Sequence, residues 1–521
     1  MSPDMVVQRS DKLFDTQRMV LPLWQTIADH FYPERADFTI TRNVGAEVAG
    51  NLANSYPVLA RRDLANSFHA MLRDGEWFKM GVTDEEPDSA GRGWLQWGTR
   101  KLRGLIDRRD AGFTRATKEG DHDYAAFGQC VISCEVNQSH DGLLFRSWHL
   151  RDCAWYDDEN GDVGGVTRRW KPELHQLVTV FGQERLHQDT LKKHAKDPFA
   201  TADIRHFVMS SEMYGDSGIK EPYVSVFVDA DHKHLIEAVG INHKYYIIPR
   251  FQTISGSPYA YSPATMTGLP DSRALQAMTH TLLEAGERYA RPPIVATRNA
   301  VSNGLDLQAD GVTWIDDDYD QRTGKAVDTL GQDRGGWPIG MQMYNDMIGI
   351  ISSSFYLDKL NLPAVGGNMT AYEVQERMKQ FRREALPLFA PLEAEYNGQL
   401  CEQAFTIAMD AGLLGSAYDI PDSLSGRDIK FKFISPLSAA EEENKALMFK
   451  QVGGMLAESA QVAPELRDNV NVEAAFRDAV EGIGSPQGWL HSPETVKGNR
   501  DARTRNAAIE QAGISSVQGA V

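Results

Sequence analysis

Three adjacent carboxylates, Asp316, Asp317 and Asp318, are the residues in this chain whose type best suits a divalent cation. Carboxylate oxygens bind Mg²⁺, and a magnesium ion held this way can drive phosphodiester cleavage. No second acidic cluster and no candidate base accompanies them, so they read as solvated surface in a turn-rich stretch, with a metal-dependent nucleic-acid-processing enzyme as the alternative. His232 and His234 have same-face spacing in a β-like run, but no third ligand is evident, and satisfied or exposed imidazoles are the expectation. In DDENGD (157–162), Asp158, Asn160 and Asp162 fall on the first three positions of a calcium loop. Val163 then stands where that loop needs Gly, and no bidentate Glu closes it, so a hairpin turn is expected. Cys130 and Cys134 would share one strand face; with Cys153 and Cys401 they are too few and too unevenly spaced for a disulfide framework. Buried free thiols, suited to a reducing cytoplasm, are the reading.

The sequence holds no GxxxxGK[ST], G-x-S-x-G or HExxH, so it provides no phosphate-cradling loop, nucleophile elbow or zinc-protease helix. No catalytic residue, resident metal or cofactor is expected. A formal charge of −18 argues against a protein that grips DNA through clustered Lys and Arg; it fits equally a channel whose acidic or neutral lining lets DNA slide without sticking and a merely soluble acidic surface. The C-terminal Lys497, Arg500, Arg503 and Arg505 read as a solvated helix face. No apolar run of about 18 residues occurs, and MSPDMVVQRSDKLFD lacks the order of a signal peptide, so a chain neither membrane-spanning nor secreted is expected.

At 521 residues, with 42% hydrophobic and 24% charged, the chain is long enough to need several compact regions. Helical spacing covers 12–33 and 55–74, and a largely β pattern runs from 127 to 261 through VISCEV, FRSWHL and VSVFVDA. After Pro270, Leu275, Met278, Leu282, Ala285 and Tyr289 form one helical stripe that stops at Arg291-Pro292-Pro293. Residues 294–337 are turn-rich around short β-like runs such as VTWI, and Tyr344, Met347, Ile348, Ile351 and Phe355 then define a second stripe. The stretch NLPAVGGNMT (361–370) has no core-forming period and leads into a capping box at Thr370 and Glu373. The helix opened there should be long; Pro387 and Pro391 predict a bend around 387–391 if it persists to Gly412, with a break into two helices as the competing reading. KFKFI (430–434) reads as a strand, Ser438 and Glu441 as another capping box, and helices are expected near 472–481 and 493–512. The fold class is α+β.

Several ordered segments carry a resemblance: WQTIADHFYPERADF with Trp24, Ile27, Ala28, His30 and Pro33; Leu64, Ala65, Leu72 and Trp77-Phe78 in the stretch ending DGEWFKMGV; FGQCVISCEV; VGGVTRRWKPELHQLVTVFG; SPATMTGLPDSRALQAMTHTLLEAGERYARPP; and FYLDKLNLPAVGGNMTAYEVQERMKQF. Together they resemble the portal proteins of tailed bacteriophages, the head-to-tail connectors of short-tailed phages. The resemblance implies a portal fold divided as wing (1–268), stem helix (269–293), small α/β clip (294–337), second stem helix (338–359), tunnel loop (360–370), a long bent wing helix (371–427) and a helical crown with C-terminal tail (428–521). It implies a dodecameric ring at one capsid vertex, serving genome packaging and ejection, formed in the host cytoplasm and carried in the virion. Stem helices of roughly 20 residues would run about 30 Å along the channel wall.

Leu275, Leu282, Tyr344, Ile351 and Phe355 are the expected ring and stem packing residues. Asp316, Asp317, Asp318, Arg322 and Lys325 are expected to dock the terminase large subunit and then the tail adaptor proteins. Viral double-stranded DNA is expected to pass Lys359, Asn361, Val365, Gly366, Gly367 and Asn368. The loop itself has no Lys or Arg, which departs from relatives that present lysines there. The major capsid and scaffolding proteins and internal core or ejection proteins complete the implied partners.

Overall fold

Ser2 opens the first helix by accepting the Met5 N–H, and Pro3 supplies a pre-set φ at the first helical position. The structure, a computed structural model, describes residues 1–43, 45–73, 75–82, 87–290, 294–296, 327–329, 336–360, 392–415, 420–434, 448–456, 471–482, 495–496, 498–500 and 502–503. Residues 12–33, one stretch by sequence pattern, belong to two helices, α1 (Pro3–Arg18) and α2 (Leu21–Phe31). Pro22 has no N–H to offer the turn before it, so the helix restarts instead of running through. Helix α3 (Tyr56–Leu72) follows as expected, then strand β1 (Phe78–Val82), α4 (Ser89–Ile106) and α5 (Phe113–Phe127).

Neither α4 nor α5 is among the helices expected from the sequence pattern. Gly120, Asp121 and Asp123 in α5 resemble turn chemistry, but all three are buried and tertiary partners explain them. A Cβ on Gly120 would lie 2.5 Å from Tyr396 Oη and 2.9 Å from Ile132 Cδ1. Asp121 meets Arg73 at 2.8 Å, and Asp123 meets Arg35 at 2.7 Å.

The β region contains β2 (Val131–Val136), β3 (Leu143–Trp148), β4 (Cys153–Asp157) and β5 (Val163–Trp170), interrupted by α6 (Leu174–Phe181) and α7 (Gln188–Lys196). It continues through β6 (Ile204–Ser210), the short α8 (Ser211–Tyr214), β7 (Tyr223–Asp229), β8 (His234–Ile241) and β9 (Tyr246–Ile247). Strands β4 to β8 pair in chain order as an antiparallel sheet, and β3, β2 and β9 form a second, smaller one. DDENGD is the β4–β5 turn, where Asp158 Oδ1 accepts the N–H groups of Asn160 and Asp162. That self-capped hairpin replaces any calcium loop.

Alternation along the strands divides the large sheet's two faces. Phe207, Met209, Val224, Val226 and Val228 pack on Val6, Val7, Leu13 and Phe14 of α1. A separate core, including Ile204 and Ile236, takes Leu174, Leu177 and Phe181 of α6. The main core gathers α2, α3, α5 and the small sheet around Trp24, Phe31, Phe68, Tyr124 and Phe127. All four cysteines are free and buried, and burial pushes the Cys134 and Cys401 thiols well above their ordinary range.

The remaining described elements are α9 (Pro263–Ala290), β10 (Ile294–Ala296), β11 (Val327–Thr329), α10 (Gly336–Ser354), α11 (Leu357–Leu360), a π-helical turn (Leu392–Asn397), α12 (Gly398–Asp410), β12 (Ile429–Phe433) and α13 (Val472–Gly482). Strand β12 pairs antiparallel with β1, with Phe433 opposite Phe78. The segment from 428 onward therefore begins within the N-terminal body. The capping boxes at Thr370–Glu373 and Ser438–Glu441, the bend at Pro387 and Pro391, and most of 493–512 lie outside the described residues.

Candidate functional site

Helices α9 and α10 pack along each other as a hairpin whose connection carries the antiparallel ribbon β10–β11. Helix α9 begins at Pro263, earlier than its apolar stripe suggested, because its first turn is tied to the end of α5. Ser262 Oγ and Thr265 Oγ1 donate to the carbonyls of Ala125 and Ala126 at 2.7 Å each, satisfying acceptors that a helix end leaves open. Pro270, read as preceding the helix, is inside it and withholds one N–H.

Farther along, Gln276 Oε1 accepts the N–H groups of Ala53 and Asn54 at 2.8 and 2.9 Å. Asn54 Nδ2 in turn donates to Tyr344 Oη at 2.8 Å, joining α9 and α10 to the segment before α3. Ser272 Oγ lies 3.3 Å from His30 Nδ1; burial, helped by Arg273, lowers the pKa of that imidazole against the opposing pull of Asp29.

The expected packing residues divide into two groups. Leu275, Ile351 and Phe355 are fully buried within the chain itself, with Phe355 5.3 Å from the ring of Phe31, whereas Leu282 and Tyr344 are half-buried. Charges at Ile351 would therefore break this chain's own core, so Ile351 cannot report on contacts between chains. A second row on α10 is uncovered: Ile339 is 63% exposed, Met343 48% and Ile350 45%, and Leu283 on α9 is 59% exposed. Helical spacing puts Ile339, Met343 and Ile350 on one face. Asp346 is the single charged residue of α10.

Within 338–359, the range expected for a second stem helix, the chain forms most of α10 and most of α11. Helix α10 stops at Ser354, and Tyr356 turns the chain left-handed at φ +57° before α11. Burial raises the Tyr356 phenol, and the exposed Lys359 holds its ammonium 5.7 Å from that ring. Asn361, Val365, Gly366, Gly367 and Asn368 lie outside the described residues, as do Asp316, Asp317, Asp318, Arg322 and Lys325. Of the C-terminal basic residues, Arg500 and Arg503 are described, helical and exposed, while Lys497 and Arg505 are not described.

Residues 4–490 match the family model described as bacteriophage head to tail connecting protein. The chain belongs to that family. It is also 22% identical over 519 residues to the portal protein of Salmonella phage epsilon15, across 95% of this chain and 91% of that one. This is a head-to-tail connector of a bacteriophage, and its family is one of structural connectors. No described helix of the connector is long and apolar enough to cross a membrane.

One group of side chains was not legible as a set. His232, read without a third ligand, stands beside His187 and Asp189 at the start of α7, and the three form the one metal-type cluster among the described residues. Forty-odd residues separate the two segments in sequence, and only the packing of α7 against the β7–β8 turn brings them together.

Proposed function

We propose that the chain assembles into a dodecameric ring at one capsid vertex, a conduit for genome packaging and ejection in a virion of the short-tailed kind. The stem is the α9–α10 hairpin, 294–337 the outward clip, 360–370 the loop facing the channel, and 371–427 with the N-terminal half the wing. The crown lies beyond β12. The clip docks the terminase large subunit and then tail adaptor proteins, and the wing meets the major capsid and scaffolding proteins. Internal core or ejection proteins stack on the crown.

The observation that carries this reading is the uncovered apolar row Ile339, Met343 and Ile350 on an almost uncharged helix of a family connector. An apolar face left in water is what a neighbouring copy would cover. The chain's excess of acids suits passage of DNA without a strong phosphate grip.

Electron microscopy and native mass spectrometry of the purified full chain test it. Rings with a central hole are expected, and Ile339→Asp or Ile350→Asp should shift the population to smaller species while circular dichroism stays unchanged. A wild-type chain that stays monomeric, or rings indifferent to both substitutions, would remove this face from the assembly.

A further inference from the structure

His187, Asp189 and His232 each offer one ligating atom, and the three atoms lie within 4.8 Å of one another. His187 precedes α7 as its N-cap, Asp189 is in the first turn, and His232 sits in the turn between β7 and β8. We propose that these residues bind a divalent transition cation of the zinc or nickel class, which clamps the start of α7 to the β7–β8 turn. Two imidazoles and a carboxylate match the donors such ions prefer, and water would complete the coordination.

The surroundings of His232 resemble the outer shell of a metal site. Asp229 is buried, and its Oδ2 lies 2.9 Å from His232 Nδ1 and accepts the Thr190 hydroxyl at 2.9 Å. A carboxylate can only accept, so His232 donates from Nδ1 and keeps the Nε2 lone pair for a cation. Asp229 Oδ1 also accepts the N–H groups of Asp231 and His232, fixing the turn. The rings of His187 and His232 stack at 4.6 Å, with the His234 ring 5.6 Å from His187. His234 Nε2 is engaged 3.1 Å from the Arg185 carbonyl, which leaves His234 a flanking residue.

Tetrahedral ligands about 2.1 Å from a zinc ion stand about 3.4 Å apart, so the side chains must close by roughly an ångström; the His187 and His232 rings, now 18° from parallel, must also turn to bring both lone pairs onto one ion, and His187 Nδ1 now accepts the Asp189 N–H at 3.3 Å. His187 and His232 are about one-third exposed and Asp189 more than half, which leaves room for that adjustment. Lys192 Nζ now pairs with Asp189 at 2.7 Å, and a cation would displace it.

The test uses the untagged full chain, stripped with chelator and titrated with Zn²⁺ by calorimetry, with the thermal midpoint followed in parallel. One ion per chain is expected, with a raised midpoint. His187→Ala and His232→Ala should each weaken binding at least tenfold and abolish the zinc-dependent rise, whereas the exposed His175→Ala should change neither. Absence of saturable one-to-one binding overturns the proposal, as does binding that survives both substitutions. These outcomes are independent of whether the chain forms rings.

Discussion

Arg73, the residue that closes α3, decides whether the segment around α12 stays docked on the N-terminal body. Its side chain is fully buried. One guanidinium nitrogen contacts both Asp121 oxygens at 2.8 and 2.9 Å, Nε donates to Asn397 Oδ1 at 2.8 Å, and the group lies 4.2 Å from the Tyr396 ring centroid. Burial alone would lower the pKa of Arg73, but Asp121 holds it above its ordinary value. Burial pushes the Asp121 carboxyl up while Arg73 pulls it back.

Arg73→Met leaves a buried carboxylate without its cation, at a cost of about 3–5 kcal/mol. Global unfolding of a chain this size is not one transition, so the assay is hydrogen exchange across 392–410, read by mass spectrometry. At about 1.4 kcal/mol per tenfold, exchange there should speed by roughly two to three and a half powers of ten. Adding Asp121→Leu should recover most of the loss, leaving about 1–3 kcal/mol for the orphaned Asn397 carbonyl.

The single variant also has a signed pH dependence. A carboxyl whose folded pKa is raised binds more protons folded than unfolded, so its stability is present at low pH and lost as pH rises through the folded value. Arg73→Met should therefore lie closer to wild type at pH 5 than at pH 8. A double variant as damaged as the sum of the singles, or a single variant with unchanged exchange, would refute the coupling.

Gly128, at φ +75°, ends α5 where a Cβ would fall 2.1 Å from the Tyr261 carbonyl carbon and 2.4 Å from Ser262 N. Gly128→Ala should cost at least about 4 kcal/mol and collapse soluble yield, whereas Gly215→Asn, at φ +74° and ψ +31° in the left-handed helical region with nothing within 4 Å, should shift the thermal midpoint little. Fully buried His206 lies 2.8 Å from Ser225 Oγ and 2.5 Å from Tyr246 Oη, and burial, with Arg168 adding to it, holds its pKa well below 6.5. The unfolded chain binds more protons below that value, so the stability His206 contributes above pH 6.5 is lost as pH falls. The slope is at most about 1.4 kcal/mol per pH unit, and His206→Gln should flatten thermal midpoints measured from pH 7 to 5. His122 works in the same direction, held at about 4 by burial and then Arg61, so the flattening is partial.

Repeating patterns make the α9–α10 hairpin, the antiparallel strands and α3 legible in sequence, because periods of 3.6 and 2 report which face each element buries. They do not say what buries it. The stripe fits an ordinary hairpin and an interface between chains equally, and only the family resemblance assigns Leu275 and Ile351 to the ring; both are covered by this chain's own core, and the row left open on α10, Ile339, Met343 and Ile350, lies about 100° round that helix from Ile351. Sequence period marks an apolar stripe equally in either case; only the placement of α2 and α3 decides which stripe is used up internally.

Helix α5 was missed for a related reason. Gly120 and Asp121 look like turn residues until Tyr396 and Arg73, hundreds of residues and tens of residues away, explain why only a bare Cα and a carboxylate fit. The zinc-type group shows the same limit in chemistry. His232 alone carries no metal signal; it gains one from Asp229 beneath it and His187 across from it, a set assembled by packing α7 against the β7–β8 turn. Local rules therefore place elements, and long-range contacts assign their faces. For this connector those contacts decide which apolar row of α10 stays exposed.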